Sequence, residues 1–440
     1  MVGRRQASTR SAAEPVAIRI ERIGAEGDGI GTLPSGRLAF VPFVLPSELV
    51  RVRPVARRGD GWAAVPDALI ESHPDRVTPP CPHFGACGGC ALQHWDLPAY
   101  HAWKAGLLHD ALRRAGYSDV PISAVVSTPA HARRRMDLGI RRVGRTVIAG
   151  LHRRRDMQVV EIETCDVLRP ELVTLIGPLR GVLSGIAGLR AKGSVVVNLL
   201  DSGSDLLLRT DGPLNLHDRE QLIAFARAHD LPRVSWAGNG GEPEPVCILR
   251  PATTVLSGVT VSPPPGAFLQ TSGEGEAAII AAVLAGLPER LPSRARIAEL
   301  FAGCGTLSFA LARHARVAAW EGDRAATAAL RSASHSAGLA GRIEVRERDL
   351  ARQPVAAAEL AGFAAVVLDP PHAGAAAQIG AIAASGCPRV IYVSCNPAAL
   401  ARDARTLHAA GYHVLGATPI DQFLWSARVE SVVVFGRERT

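Results

Sequence analysis

The chain has 440 residues, 47% of them hydrophobic, with 49 Lys+Arg against 41 Asp+Glu for a formal net charge of +8. Such a length and apolar fraction allow several domains with their own cores and exclude a disordered or low-complexity chain. No apolar run approaches the roughly 18 residues of a membrane span, and the basic start MVGRRQASTRSAAEP lacks the apolar segment of a signal peptide, so we expect a disordered tail over 1–14 and a cytoplasmic protein.

Past the tail, VAIRI, GAEGDGIG, RLAFVPFVL and LVRVRP alternate short apolar runs with turns, which predicts a small TRAM/OB-like β-barrel of roughly five strands over 15–74. Pro74–Pro82 marks a boundary, and Leu97–Ala115 has the spacing of an amphipathic helix. MDLGIRR, TVIAGLHRR and GSVVVNLLDSGSDLLLRT then predict strands, while Glu171–Ile186 and Asp218–His229 predict helices. Together they make an α+β central domain over 75–265, closed by the turn at Pro263–Phe268. Strands at Ile297–Phe301, Val317–Trp320, Ile343–Val345, Ala364–Leu368, Val390–Val393, Tyr412–Leu415 and Ser431–Phe435 alternate with helical stretches at βαβ intervals. They predict an α/β Rossmann-like sheet in 266–440.

Arginine clusters stand at Arg57-Arg58, Arg133–Arg135, Arg141-Arg142 and Arg153–Arg155. A solvated arginine-rich surface is one reading. A polyanion partner is the other, because guanidinium forks match phosphate. Eight cysteines in a cytoplasmic chain argue against a disulfide framework. Four of them, in the pattern Cys81-x5-Cys87-x2-Cys90 with a distant Cys165, can hold zinc or a [4Fe–4S] cluster. Structural zinc more often shows two short C-x-x-C pairs, so the triplet plus singleton favours iron–sulfur. Cys247, Cys304 and Cys387 read as packing residues.

Glu299-Leu-Phe-Ala-Gly303-Cys-Gly305-Thr306 reads as a strand, a glycine turn and a helix start. Ser308 stands where a dinucleotide fingerprint has its third glycine, which argues against that class. Glu321 ends the next strand, where a carboxylate can bond ribose hydroxyls, and Asp349 follows the third, within reach of an adenine edge. Singly each is an ordinary loop charge. Jointly they point to an adenosine cofactor without phosphates, such as S-adenosylmethionine.

Val390–Val393 reads as a buried parallel strand with Ser394-Cys395-Asn396-Pro397 as its C-terminal loop, Pro397 suiting the first turn of a helix. Ligands bind outside the carboxyl ends of such strands, and Ala364–Leu368 delivers Asp369-Pro370-Pro371 to the same edge. A thiol beside a carboxylate there reads as a nucleophile and its polar anchor, although a lone cysteine is more often a small buried apolar residue.

Phe268-Leu-Gln270, Phe301-Ala-Gly303-Cys-Gly305, Asp369-Pro-Pro-His372, Ser394-Cys395-Asn396-Pro397 and Val429-Glu430 occur in the order seen in RNA uracil-5-methyltransferases. Over nearly its whole length the chain resembles the branch of that family with an N-terminal TRAM barrel and an iron–sulfur cluster, the 23S rRNA type. The resemblance implies a class I methyltransferase domain at the C-terminus, with the helix at 97–116 packed on it. It implies that Cys395 attacks uracil C6 and that Glu430 removes the C5 proton. Gln270, Phe301, Thr306, Glu321, Asp349 and Asp369 become S-adenosylmethionine contacts, with Asp369 instead or also touching the base. Cys81, Cys87, Cys90 and Cys165 become ligands of a [4Fe–4S] cluster. The substrate is RNA, with rRNA favoured over tRNA, and no obligatory protein partner is implied. Two departures stand out. His372 replaces the family's usual arginine, and Thr306 its usual asparagine. The rival readings are tRNA uracil-5, RNA cytosine-5 or exocyclic-amine methylation, and a non-catalytic RNA-binding assembly factor.

Overall fold

The computed structural model describes residues 14–238 and 240–437, so the expected tail over 1–14 lies outside the described residues except for Glu14. The chain divides into two compact units. One runs up to Gly85 and adds Cys90–Tyr100 and Trp425–Ala427; the other holds Ala86–Gly89, His101–Leu424 and Arg428 onward.

In the first unit, β1 (Val16–Ile23), β2 (Gly29–Thr32), β3 (Leu38–Val41), β4 (Leu49–Arg58) and β5 (Gly61–Glu71) form a closed barrel in the order β1-β2-β3-β5-β4. Alternation of side chains sends Ile18, Ile20, Val50 and Val52 into its core. At Gly31 a Cβ would stand 2.4 Å from the Arg19 carbonyl oxygen, so the β1–β2 contact requires glycine there. Glu48 is fully buried, and Arg76 grips both its oxygens at 2.6 and 2.7 Å. The Leu45 N–H adds a third hydrogen bond at 2.7 Å, so the charge is matched by donors.

The second unit carries most of α1 (Leu97–Ala115), the short β6 (Val126–Ser127) and two large sheets. The first sheet is built from β7 (Arg135–Val143), β8 (Thr146–His152), β9 (Val159–Glu161), β10 (Lys192–Leu200), β11 (Gly203–Thr210), β12 (Arg233–Ala237) and β13 (Glu244–Ile248). Helices α2 (Pro170–Gly185) and α3 (Leu216–Ala228) share its core through Leu172, Leu175, Leu222 and Phe225. Arg142 is not spent on solvent or phosphate. It donates to the carbonyls of Leu183, Ser184, Ile186 and Leu189 at 2.6–3.1 Å, gathering the end of α2 and the turn that follows it. A hairpin of β14 (Thr254–Leu256) and β15 (Val259–Val261) follows.

The second sheet is the expected α/β layer. Its elements are α4 (Gly273–Ala285), β16 (Arg296–Leu300), α5 (Thr306–Leu311), β17 (Arg316–Glu321), α6 (Arg324–Ser336), β18 (Ile343–Glu347), α7 (Ala357–Leu360), β19 (Ala365–Leu368), α8 (Ala376–Ala384), β20 (Arg389–Ser394), α9 (Pro397–Ala409), β21 (His413–Asp421) and β22 (Glu430–Gly436). The strand order is β18-β17-β16-β19-β20-β22-β21-β6, with β16 to β20 parallel and β22 antiparallel to both neighbours. The parallel strands are buried on both faces, which is why they read as unbroken apolar runs. Ala298, Leu300, Val366, Leu368 and Tyr392 enter one core layer; Ile297, Ala365, Val367, Ile391 and Val393 enter the other. Leu108, Leu112 and Ala115 of α1 lie in the first of these layers. The chain winds outward from β16 in both directions, so the order reverses there, the switch point outside which open α/β sheets bind their ligands.

α1 is also fixed by charge. Lys104 is completely buried, pairs with the buried Asp421 at the end of β21, and donates to the Phe423 carbonyl at 3.1 Å. Burial pulls its pKa down to about 8, against the opposing pull of Asp421. Removing one partner of a buried pair leaves the other charge uncompensated. Lys104→Ala leaves Asp421 to His101, whose Nε2 lies 3.5 Å away, and should lose no more than about 3–5 kcal/mol of stability in urea denaturation, still far more than the same change at a surface lysine.

Candidate active site

Antiparallel pairing of β20 with β22 brings the end of one strand to the beginning of the other. Ser394 faces Ser431, so Cys395 and Glu430 come to the same sheet edge. Glu430 in turn pairs with Ile420, which puts Gln422, just past β21, beside them. Cys395 is half-buried in the turn between β20 and α9. Asn396 caps that helix, its Oδ1 accepting the N–H groups of Ala398 and Ala399 at 3.0 and 3.4 Å, with Pro397 at the first helical position. The Asn396 amide also donates to the His372 carbonyl at 2.8 Å, tying the Asp369–His372 loop to the cysteine turn. That bond uses the backbone of residue 372, and the His372 side chain is exposed, so this tie survives the departure from arginine.

A chain of hydrogen bonds links the polar groups. The Gln270 amide donates to Asp369 at 3.1 Å, and Gln422 Nε2 donates to Gln270 Oε1 at 3.0 Å and to Glu430 Oε2 at 2.6 Å. Glu430 is buried, and its Oε1 has no hydrogen-bond partner among the described residues. Burial pushes the Glu430 carboxyl well above the usual range, and the Asp369 charge pushes the same way. Burial likewise raises Asp369, with Gln270 opposing. The Cys395 thiol is pushed up to about 11 by burial and then by the charges of Glu430 and Asp369, while Arg428 pulls it down.

The glycine turn lies at the end of β16. Phe301 falls outside the strand with φ +64°, a left-handed conformation that costs a side-chain-bearing residue about 1–3 kcal/mol and is found at ligand sites. Gly303, at φ +56°, faces open space, whereas a Cβ on Gly305 would strike Leu330 at 2.5 Å. Thr306 begins α5 and is half-buried. Glu321 accepts the Gly303 N–H at 2.8 Å and the Asp323 N–H at 2.7 Å, so it shapes the glycine turn. Asp349 is exposed, and its Oδ1 accepts the Ala351 N–H at 3.0 Å. A Cβ on Gly322 would lie 3.3 Å from Asp349 Cα, so Glu321 and Asp349 mark adjacent strand ends.

The four cysteines of the C-x5-C-x2-C…C motif are shared between the two units, and Cys87 and Cys165 pack against the core of the first sheet. Cys81 and Cys90 belong to the barrel unit, Cys87 and Cys165 to the other, and each is half-buried. The Gly89 N–H donates to Cys87 Sγ at 3.4 Å. Among the described residues no group of three or more His, Cys, Asp or Glu side chains is arranged to hold a metal ion. Cys304 and Cys387 lie in the two core layers, as packing residues do.

Sequence reasoning missed two participants. Glu299 is buried, and Ser308, the residue that replaces the third glycine, donates to it at 2.5 Å. A lone carboxyl within the apolar run Ile297–Leu300 was the available signal. Gln422 carried none, because a polar residue after a strand looks like any loop residue.

A family model described as tRNA (Uracil-5-)-methyltransferase matches residues 341–438. The 23S rRNA (uracil(1939)-C(5))-methyltransferase of Chromohalobacter salexigens is 33% identical over 448 residues, covering 99% of this chain and 92% of that protein. The chain belongs to the RNA uracil-5-methyltransferase family. An RNA methyltransferase of Brucella melitensis is 39% identical over 96% of this chain and 98% of its own. The crystal structure of the Pyrococcus abyssi tRNA (uracil-54, C5)-methyltransferase with S-adenosyl-L-homocysteine has the same fold, with a TM-score of 0.70 at 21% identity over 96% of this chain and 100% of that one. Members of this family are S-adenosylmethionine-dependent, and the open face of Gly303 with the acids at the ends of β17 and β18 fits an adenosine group without phosphates.

The raised thiol sets a test on the free enzyme. An ordinary cysteine is half ionised near pH 8.5, so alkylation of Cys395 by iodoacetamide should be slow at neutral pH and still climbing with pH beyond about 8.5. A rate that levels off below that pH, followed by peptide mass spectrometry, would contradict the burial and charge argument.

Proposed function

We propose that this protein methylates C5 of uridine in 23S rRNA, with Cys395 as nucleophile and Glu430 as base. The observation that carries the reading is the meeting of a thiol and a partnerless carboxyl oxygen at one buried sheet edge. Uracil C5 is a poor carbon nucleophile. Addition of the Cys395 thiolate to C6 forms a sulfur–carbon bond and moves the ring π electrons into an enolate, which makes C5 nucleophilic. S-adenosylmethionine supplies the methyl group as an electrophilic sulfonium carbon. Glu430 then takes the remaining C5 proton, the electron pair re-forms the C5–C6 double bond, and the sulfur leaves as thiolate. Asp369 and Gln270 face the same edge and orient the base or the methyl donor. Glu321 and Asp349 hold ribose and adenine, with Phe301 and Thr306 lining the turn.

Support for 23S rRNA as substrate comes from the Chromohalobacter relative, which matches over 99% of this chain and 92% of its own. Of the arginine clusters, Arg57, Arg141 and Arg153 are exposed and offer phosphate contacts. Arg134, Arg135 and Arg142 are committed to Glu276, Ala267 and the end of α2. The four cysteines of the C-x5-C-x2-C…C motif supply the donor set for a [4Fe–4S] cluster; no catalytic step is assigned to it, and iron and acid-labile sulfide assays on anaerobically purified protein test its presence.

Labelled methyl transfer to 23S rRNA followed by nucleoside mass spectrometry tests the assignment. The wild type should yield 5-methyluridine and Cys395→Ala none. Glu430→Gln should stall after methylation and accumulate a denaturation-resistant RNA–protein adduct. 5-Methylcytidine as product, or turnover by Cys395→Ala, would overturn it.

A further inference from the structure

A carboxylate that removes a proton from carbon must present one oxygen to that proton while the other is held still. The structure provides such a division at Glu430. Its Oε2 accepts the Gln422 amide at 2.6 Å, and its Oε1 is buried with no hydrogen-bond partner among the described residues. Gln422 is itself held. Its Oε1 lies 3.2 Å from the Thr271 hydroxyl, which also reaches the Gln422 backbone carbonyl at 3.1 Å, and the acceptors on the other side, Glu430 Oε2 and Gln270 Oε1, decide which end of the amide carries the hydrogens. The two N–H groups of Nε2 then go to Glu430 and to Gln270 Oε1 at 3.0 Å, and Gln270 passes its own N–H to Asp369 at 3.1 Å. Room for this arrangement is built in. At Gly275, in the first turn of α4, a Cβ would lie 2.8 Å from Gln422 Cβ and 3.1 Å from its Oε1.

We infer that Gln422 is the positioning residue of the base, and that Oε1 of Glu430 is the atom that takes the C5 proton. The inference rests on the proposed role of Glu430. A single amide answers two needs. It clamps Oε2 so that the remaining lone pairs of Oε1 face the reacting carbon, and it orients Gln270 so that Asp369 receives a donor. Thr271 and Gly275 serve the amide, not the substrate. Gln422 donates to the charged form of Glu430, so it lowers the pKa that burial raises. Its loss should raise that pKa again. Proton abstraction needs the ionised base, so the acid limb of the pH–kcat profile moves to higher pH when the amide is removed.

Gln422→Met keeps the volume and removes both donors. We expect KM for RNA and for S-adenosylmethionine to hold, and kcat to fall by about ten- to a hundredfold, short of the roughly 10²–10⁴-fold that a positioned base contributes. The acid limb should shift upward, and more enzyme should sit in the denaturation-resistant methylated adduct, because elimination has become slow. Thr271→Val, which removes the hydroxyl beside Gln422 Oε1 and loosens the amide with little change of shape, should give the same pattern in smaller measure. A folded Gln422→Met with unaltered kcat overturns the inference. So does a fall in kcat with neither the pH limb nor the adduct fraction moved, which is what a merely structural residue would give. Should Gln422→Met not fold, Thr271→Val decides by the same readouts. Glu430→Gln, run alongside, separates the two layers: normal turnover in that variant refutes the base itself, whatever Gln422 does.

Discussion

A thiol and two carboxyl groups crowd one dry end of a sheet, and burial forbids all three from carrying negative charge at once. Burial is the first cause of the upward shift at each; the Asp369 charge adds to it at Glu430, and the charges of Glu430 and Asp369 add to it at Cys395. The consequence is useful for the chemistry. A carboxyl group held near neutrality is a stronger base than a solvated one and can both take a proton and return it. Two glutamine side chains make the crowding tolerable, since amide N–H groups partner carboxylates without adding charge. Arg428 adds positive charge near the thiol.

Topology explains why these groups meet. β22 enters the sheet antiparallel between β20 and β21, so its first residue, Glu430, lies against the last residues of both neighbours. One strand insertion thereby gathers Cys395, Glu430 and Gln422 from three separate sequence segments. The end of β21 is held from outside by the buried pair of Lys104 and Asp421 on the residue preceding Gln422. A helix far upstream in sequence thus braces the amide that braces the base.

How much of this was legible in the sequence follows from what each feature leaves behind. Parallel strands buried on both faces leave apolar runs, and β16, β17, β19 and β20 stood near their expected places. Pro397 after Asn396 announced a strand-to-helix turn, and the barrel was readable from its alternation. β12 and β13 were not foreseen, because VSW and EPVCI are too short and too mixed to stand apart from loops. Phe301 looked like the end of a strand, yet the backbone turns left-handed there. Charge counts misled in a specific way. Arg134, Arg135 and Arg142 look like phosphate ligands in sequence, but their partners are a glutamate, loop carbonyls and a helix end. Gln422 was invisible because its meaning lies wholly in its neighbours.

The central claim is a transient bond between Cys395 sulfur and carbon 6 of a uracil ring. RNA containing 5-fluorouridine at the target tests it directly, because fluorine cannot leave C5 as a proton does and the bond cannot be undone. The account predicts a denaturation-resistant complex that forms only with S-adenosylmethionine present and maps by mass spectrometry to the peptide holding Cys395. Absence of any such complex under conditions where ordinary RNA is methylated, or a bond to a different residue, would contradict it.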